Sequence, residues 1–492
     1  CKISNKTPFI ERICSQLLTC YITLAVDLTN VGFGTATGFP AILISQLRDV
    51  NSLCFSLSVS VYALGMICGY FLTPPTMDRL GRKNAHYLVA ILLITGWIIT
   101  TLALVIARIL HGMSGGLLLT LTILLGEYTS PKNRGAFLST IALTQAFGIF
   151  FIHLIGSFLS WQRSALICLF FPFISLLMIL YTPESPCWLA DIGKYDECRR
   201  VFRWLRGDEE EAELEEMIEA QMELEKAKIK NRQQNDNWLK EALNTIRKKE
   251  FYKPVTLMVH ANIIMQCSGG TTMAAFSTVI LSLLMGPDAQ VHFWMVFLDT
   301  QRIITNAAAV YIINKVKRRT MLFSTGALCV LTHLVMVAYV YGKNQGWATF
   351  AGIWFPALLV NIQFFTVGMA MVPMPNIIAG EIFPLEYRSI GGTIATLSGG
   401  CTMFLGLKTF PSLIDWSGLP GTYLLYSVLM TYSLIILWIL LPETKDRTLQ
   451  QIEDEFRGRP LKAHEVEARL SLHTSRLEMY KMKVSEIPIL QK

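Results

Sequence analysis

Long apolar runs separated by short polar and charged segments make up most of this chain. A helix needs roughly 20 apolar residues to cross a bilayer, and these runs are close to that length. Such a helix also satisfies its own backbone hydrogen bonds, which lipid cannot do. The pattern therefore predicts an all-α membrane protein with twelve transmembrane helices. The predicted spans are residues 14–36, 53–75, 84–103, 106–126, 136–158, 163–182, 254–284, 291–313, 321–341, 350–379, 390–413 and 421–441.

A long polar stretch, residues 184–252, divides the predicted spans into two sets of six. Its charges pass from acidic to basic between residues 207 and 230, the polarity that complements a helix dipole. We therefore predict an N-terminal six-helix half at 1–183 and a cytoplasmic helical linker at 184–252. A C-terminal six-helix half follows at 253–441, and a cytoplasmic tail at 442–492.

Three charged motifs occur once in each predicted half, in the same order and at similar offsets. Each motif lies beside an apolar run, so its charges fall at the ends of spans and not inside them. The repetition indicates two related halves, a common plan among membrane carriers. The pairs are Asp78–Lys83 with Asn314–Arg319, Glu127–Arg134 with Glu381–Arg388, and Pro183-Glu184 with Pro442-Glu443.

Composition and charge agree with a multi-pass membrane protein and do not indicate nucleic-acid binding. The chain is 52% hydrophobic and only 16% charged, whereas soluble proteins have about 25% charged residues. Lys and Arg predominate in the short loops on one side of the predicted bundle. By the positive-inside rule, both termini of this multi-pass protein are then cytoplasmic, and we expect it in the cell membrane. The net charge of +7 reflects these loops beside the lipid bilayer and does not point to nucleic acid.

The sequence lacks the usual signatures of catalysis and metal binding. Its eleven Cys are scattered, with neither a Cys-x-x-Cys pair nor a companion His cluster, which argues against a disulfide framework or a metal site. No phosphate-binding loop or Ser/His/Asp arrangement stands out. We therefore predict that the protein is not an enzyme and uses no cofactor. The oligomeric state is left open.

The charged motifs resemble those of the sugar porter family of the major facilitator superfamily. Within that family the chain is most similar to the insect facilitated trehalose/glucose transporter branch. The resemblance runs from about residue 14 to residue 456. The motifs that carry it are DRLGRK (78–83), Arg108 with Gly112, GEYTSPKNRG (126–135), PESPCWL (183–189), QCSGG (266–270), KRRT (317–320), GEIFPLEYR (380–388) and PETKDRTLQQIE (442–453).

The resemblance implies a gate built from charges at the cytoplasmic ends of the helices. Carriers of this type work by rocking two halves about a central site, which requires contacts that form in one state and break in the other. Alternatively, the charges only fix topology through the positive-inside rule. The residues implied in the gating salt-bridge network are Asp78, Arg82, Glu127, Arg134, Glu184, Arg319, Glu381, Arg388 and Glu443.

The sugar-contact positions implied by the resemblance are largely replaced. Met265 stands for the first Gln of a family pair, Ala142 for another Gln, and Gly400 for a Trp. The sequence thus retains the charged motifs of the family but differs from it at the positions that would line the central cavity. The substrate-binding candidates that remain are Gln266, Thr271, Gln145, Asn376 and Arg302, with a helix–helix hydrogen bond as the alternative role of Gln266.

Several ionisable residues fall inside predicted spans, where charges are costly and often functional. Asp299 and Arg302 lie three residues apart and share a helix face, so they either neutralise each other or present Arg302 to a solute. Asp27 lies two turns from the position at which proton-coupled relatives carry an Asp, which favours facilitated diffusion. His153 and His260 are expected to be packing residues.

Together these features predict a carrier that moves a small polar solute by alternating access without ATP. The resemblance implies a sugar, either a hexose or trehalose. One alternative is a carrier of a non-sugar organic ion or a proton-coupled symporter. A second alternative is a nutrient sensor that does not transport, although its tail of about fifty residues is short for that role.

Overall fold

The structure is a computed structural model, and all described secondary structure in it is helical. It describes residues 8–47, 52–129, 134–206, 248–286, 289–346, 352–383, 388–445, 447 and 449–458, and in the linker residues 211, 214, 215, 217, 218 and 222.

The N-terminal helix group consists of eight helices, two pairs of which continue each other across a short break. The first break separates α4 from α5 and the second separates α7 from α8. The helices are α1 (Pro8–Gln46), α2 (Ser52–Leu80), α3 (Arg82–Ile99), α4 (Leu104–Leu117), α5 (Leu119–Tyr128), α6 (Arg134–Gly156), α7 (Trp161–Cys168) and α8 (Phe170–Ile179).

Two short helices of the linker follow, α9 (Pro186–Asp191) and α10 (Tyr195–Arg206). Ser185 caps α9, since its side chain accepts a hydrogen bond from the backbone N–H of Trp188. On α10 the apolar side chains Phe202 and Leu205 are buried, and the basic residues alternate with them. Arg206, the last residue of α10, donates to the carbonyl of Thr129 at 2.9 Å and so ties the linker to the end of α5.

The C-terminal helix group contains a broken helix near each end of its sequence. A π-helical segment, Val367–Met371, also interrupts one helix just before two prolines. The helices are α11 (Lys249–Cys267), α12 (Gly270–Met285), α13 (Val291–Lys315), α14 (Arg318–Asn344), α15 (Trp354–Thr366), α16 (Pro373–Ile382), α17 (Arg388–Leu440) and α18 (Leu449–Arg457). The long α17 bends sharply at Gly418, whose φ is 67°.

Seven stretches of the described residues are helical, apolar and long enough to cross a membrane. Together with the all-helical architecture, they support the predicted class of multi-pass membrane protein. The last stretch is 51 residues long and contains the bend at Gly418. The stretches are Gln16–Gln46, Leu104–Tyr128, Trp161–Ile179, Lys249–Met285, Arg318–Asn344, Trp354–Ala379 and Ile390–Leu440.

Glycines let two pairs of helices in the N-terminal group approach each other closely. Gly34 of α1 faces Gly148 of α6, and a Cβ at Gly34 would lie 2.3 Å from a backbone carbonyl oxygen of α6. Gly112 of α4 faces Gly65 of α2, and a Cβ at Gly112 would lie 2.0 Å from the Tyr62 carbonyl oxygen. Small residues at such crossings let backbones pack tightly where lipid provides no hydrophobic force between helices.

The two helix groups meet along three helix pairs: α1 with α12, α2 with α17, and α6 with α13. Thr278 of α12 donates a hydrogen bond to the Ala41 carbonyl of α1 at 3.2 Å. Both residues lie toward the helix ends opposite the charged motifs. This end of the bundle, defined by Ala41 and Thr278, is called the distal end below, and the end with the charged motifs is the basic end.

Candidate functional site

The helix that carries the QCSGG motif breaks in the middle of the bundle. Gly269 separates α11 from α12 and has φ 92°, a left-handed conformation that favours glycine. A Cβ at Gly269 would also lie 2.5 Å from the side-chain nitrogen of Gln363. Glycine is therefore required here for both its backbone freedom and its small size.

Gln266 lies one turn before this break, with only 4% of its surface exposed. Its amide nitrogen is 3.4 Å from the hydroxyl of Thr272 on α12. Its amide oxygen is buried and has no hydrogen-bond partner among the described residues. Gly406 of α17 packs against the same side chain, and a Cβ there would lie 2.4 Å from the Gln266 amide nitrogen. Gln266 thus offers an unsatisfied acceptor in the interior of the bundle.

Three buried polar side chains brace the break from the neighbouring helices. Gln363 of α15 donates to the Ser268 carbonyl at 2.9 Å and lies 3.1 Å from the Nε2 atom of His333. The hydroxyl of Tyr423 donates to the Gln363 amide oxygen at 3.3 Å. None of these three residues was predicted from the sequence, although a Gln within an apolar run is itself a signal of a buried polar contact.

The other uncharged substrate candidates do not gather around Gln266 in the same way. Thr271 is half-buried just beyond the break, whereas its neighbour Thr272 is the residue that contacts Gln266. Gln145 of α6 is half-buried. Asn376 of α16 is exposed, and its amide donates to the Val372 carbonyl one turn earlier at 3.4 Å.

Arg302 belongs to a buried group of charges between the two helix groups. Its guanidinium donates to Asp299 Oδ1 at 2.7 Å within α13. The second carboxylate oxygen of Asp299 contacts Nδ1 of His153 on α6. All three side chains are at least nine-tenths buried. The expected neutralising pair therefore exists, and His153 extends it across the interface instead of only packing there.

Asp27 and His260, the other two ionisable residues named from the sequence, have local partners. Asp27 of α1 accepts hydrogen bonds from the hydroxyls of Thr140 at 2.8 Å and Thr144 at 3.4 Å, both on α6. His260 contacts the carbonyl of Thr256, one turn earlier on its own helix, at 2.8 Å. Asp27 thus joins the α1–α6 contact through hydroxyl groups.

At the basic end of the N-terminal group, Glu127 is the centre of a charged cluster. The Arg82 guanidinium donates to both of its carboxylate oxygens, with three nitrogen–oxygen distances of 3.1 to 3.2 Å. The Ser185 hydroxyl also donates to Glu127. Glu184 accepts the backbone N–H groups of Arg82 and Lys83, each at 2.9 Å. These contacts join α3 and α5 to the start of the linker.

The C-terminal group repeats this cluster with the corresponding residues. Arg318 donates to Glu381 at 3.3 Å, and the Thr444 hydroxyl donates to the same carboxylate. Glu443 accepts the backbone N–H groups of Arg318 at 3.0 Å and Arg319 at 3.1 Å. Corresponding residues of the two repeated motifs therefore make corresponding contacts.

Arg318, and not Arg319, occupies the position that corresponds to Arg82. The Arg319 guanidinium instead donates to the carbonyls of Trp438, at 3.1 Å, and Leu441 at the end of α17. Asp78 contributes its backbone carbonyl, which accepts from the Trp188 indole at 3.2 Å, while its side chain is exposed. The side chains of Arg134 and Arg388, two further residues of the expected network, lie outside the described residues.

The two repeated glutamates outside the spans differ in their electrostatics. Burial raises the pKa of the Glu184 carboxyl, although three backbone N–H groups donate to it. Burial also opposes the charge on Glu443, but backbone N–H groups outweigh it there and hold the pKa of its carboxyl below the usual range. The same motif thus favours the charged form more strongly in the C-terminal group.

The arrangement of a broken central helix and repeated charged clusters agrees with the comparison against known families. Residues 21–456 match the family described as "Sugar (and other) transporter". This chain belongs to that transporter family. Membership confirms the resemblance drawn from the charged motifs and the prediction of a transporter instead of an enzyme.

Curated relatives of this transporter span nearly its whole length. It is 27% identical over 464 residues to the facilitated trehalose transporter Tret1 of Apis mellifera ligustica, covering 91% of this chain and 89% of the relative. It is 25% identical to the sugar transporter ERD6-like 12 of Arabidopsis thaliana, covering 92% and 95% respectively. The insect branch favoured by the sequence is thus among its relatives.

Solved structures establish the fold of the transporter. It is similar to the proton:xylose symporter XylE bound to 6-bromo-6-deoxy-D-glucose, with a TM-score of 0.70, 17% identity, and coverage of 90% of this chain and 100% of that one. It is also similar to the inward open conformation of XylE from E. coli, with a TM-score of 0.69, 17% identity, and coverage of 89% and 99%. Both likenesses assign the major facilitator fold.

Proposed function

We propose that this protein carries a small neutral sugar, a hexose or trehalose, across the cell membrane by facilitated diffusion. Gln266 supports this proposal most directly. A sugar hydroxyl both donates and accepts hydrogen bonds, so it can satisfy the buried amide oxygen that has no partner among the described residues. The names of the curated relatives, which describe trehalose and sugar transporters, point to the same class of solute.

The buried charges between the two helix groups argue against an organic anion as the transported solute. Arg302 is the candidate that would recognise an anion, but its guanidinium is already paired with Asp299 at 2.7 Å. A second anion would have to compete with this buried carboxylate and bring its own desolvation cost. A neutral solute is therefore favoured over an anion.

We further propose twelve spans, two six-helix halves and cytoplasmic termini, as the apolar runs and the positive-inside rule predict. The basic end of the bundle then faces the cytoplasm. In this arrangement the clusters around Glu127 and Glu381 hold the helix ends that meet when the cytoplasmic gate closes, and Arg134 and Arg388 belong to the same proposed network. The described contacts of each cluster lie within one helix group, so each cluster holds its own helix ends in place while the groups move.

Uptake into proteoliposomes tests the solute and the coupling together. Labelled glucose and trehalose should enter down their own gradients, and an imposed proton gradient should not drive accumulation above equilibrium. Saturable uptake of an organic anion without uptake of either sugar would contradict the proposal. Binding of a sugar without uptake would indicate a sensor instead.

A pair of glutamine variants tests the site. Gln266→Ala should weaken sugar binding by about 5- to 150-fold, the effect of losing one buried hydrogen bond of roughly 1–3 kcal/mol. Gln46→Ala is the matched control, because Gln46 bonds to the carbonyls of Gly156 and Leu159 at the distal end, away from the break. Equal effects of the two changes on affinity would refute the role of Gln266.

A further inference from the structure

His153 presents both of its ring nitrogens to hydrogen-bond acceptors. Nε2 lies 3.1 Å from the backbone carbonyl oxygen of Gly38 on α1, which can only accept. Nδ1 contacts the Asp299 carboxylate on α13. His153 is 1% exposed and Asp299 is 2% exposed, so water does not replace either contact. The ring therefore joins α1 and α6 of one helix group to α13 of the other.

This geometry requires one proton more than a neutral histidine beside a carboxylate provides. A neutral ring carries one N–H group, which can donate either to Gly38 or to Asp299 but not to both. Addition of a proton lets the ring donate to both acceptors and places a positive charge beside the Asp299 carboxylate. Loss of that proton removes the ion-pair attraction between the two helix groups and leaves one of the two acceptors without a donor.

A cavity near the contact provides a route for the proton. The cavity has a volume of about 730 Å³ and lies between the two helix groups at the distal end. Leu154, next to His153, and Val296, one turn before Asp299, both line it. Its walls include the polar side chains of Ser157 and Ser282, which make it suitable for water.

We propose that His153 and Asp299 form a proton-binding site that holds the two helix groups together at the distal end. Binding of one proton strengthens the contact, and its release weakens it. Arg302 keeps Asp299 neutralised in either case, so the carboxylate has a partner after the contact breaks. The site rests on the alternating-access motion proposed above, but not on the identity of the solute.

The proton acts here as a regulator and is not carried across the membrane. The cavity lies near the contact on its distal side, and separation of α6 from α13 at that end exposes the same site to the same side. The proton is thus taken up from and returned to one compartment. Low pH in that compartment favours the state with the distal end closed, because that state binds the additional proton.

The charged and titratable groups that face His153 belong mainly to α13. Asp299 contacts it directly, Arg302 lies behind Asp299, and His292 lines the cavity two turns before Asp299. On α1 the facing group is the uncharged Gly38 carbonyl. His292 is therefore the second group that could respond to pH, and it serves as the control.

Distance measurements by pulsed electron spin resonance on the full chain in lipid vesicles test the proposal without any solute. Spin labels at Leu102 and Trp416, which are 85% and 86% exposed at the distal end of the two groups, report how far the groups are apart. Cys20, Cys68 and Cys401, which are the exposed cysteines among the described side chains, are replaced by serine to avoid labelling them. The ratio of closed to open populations should fall with rising pH, by at most about tenfold per pH unit for one proton.

Two variants assign the pH response. His153→Gln cannot take up a proton and should give populations that do not change with pH, whereas His292→Gln should keep the response of the parent protein. No pH response in the parent protein would refute the proposal, even if the His153 variant failed to fold. Loss of the response in His292→Gln, with His153→Gln unchanged, would assign the site to His292 and refute it as well.

Discussion

Replacing Glu127 by Gln should destabilise the protein more than the same change at Glu381, although the two residues correspond in the repeat. Arg82 approaches Glu127 with three nitrogen–oxygen distances of 3.1 to 3.2 Å, and the two side chains are 11% and 14% exposed. Arg318 approaches Glu381 with one distance of 3.3 Å, and these side chains are 13% and 27% exposed. The first pair is bidentate and better shielded from water.

The geometry sets the expected size of the difference. An exposed ion pair contributes about 0.2–1 kcal/mol, whereas removal of one partner from a buried pair costs about 3–5 kcal/mol. The Arg82–Glu127 pair lies between these limits, and its bidentate geometry adds strength. We expect a coupling free energy of about 2 kcal/mol for this pair and of about 1 kcal/mol or less for Arg318–Glu381.

Double-mutant cycles provide the measurement. Equilibrium unfolding in mixed micelles is followed for Glu127→Gln, Arg82→Gln and the double variant, and the same set is made for Glu381 and Arg318. The cycle isolates the interaction of each pair from the other effects of the substitutions. Equal couplings, or a stronger coupling for Arg318–Glu381, would refute the link between contact geometry and energy.

Two further predictions concern packing and pH. Gly112→Ala should lower Tm markedly, because its Cβ would lie 2.0 Å from the Tyr62 carbonyl oxygen. Such overpacking costs about 1–3 kcal/mol or more. Gly126→Ala is the control and should not lower Tm, since a Cβ there has nothing within 4 Å. Glu443→Gln should lower Tm at pH 7 and have a smaller effect at about pH 4, because the stabilisation by a charge with a lowered pKa declines as the pH falls below the ordinary value of 4.5 toward that pKa. Glu184→Gln should leave Tm at pH 7 unchanged or higher, because the raised pKa shows that the fold disfavours its charge. Thermal unfolding in detergent at the two pH values measures all four variants, and a loss of Tm at pH 7 in Glu184→Gln alone would contradict this assignment.

The apolar runs and charged motifs were sufficient to predict the all-α membrane class and the family, because both depend on residues that are close in sequence. The repeat also indicated which charges correspond, since Arg82 aligns with Arg318. The role expected of Arg319 is filled by Arg318 because the helix start directs one guanidinium toward Glu381 and the next toward the end of α17. Adjacent residues on a helix point about 100° apart, and a motif does not show which one faces the partner.

The centre of the bundle was harder to predict, because its contacts join residues far apart in the chain. Gln266 could be named from its motif, but the partnership of Gln363 with the break depends on how α15 packs against α11 and α12. The Asp299–Arg302 pair follows from helical spacing. Its extension to His153 does not, because it requires the relative position of two helices 146 residues apart in sequence.

The distribution of polar contacts also bears on how the protein can move. The clusters around Glu127 and Glu381 each tie several segments of one helix group together. By contrast, the described hydrogen bonds between the groups, Thr278 to Ala41 and His153 to Asp299, both lie toward the distal end. A carrier needs groups that stay rigid and an interface that exchanges contacts at a cost of only a few kcal/mol. Strong contacts within each group and few polar contacts between them meet both requirements, and the His153–Asp299 contact is the one whose strength a single proton can change.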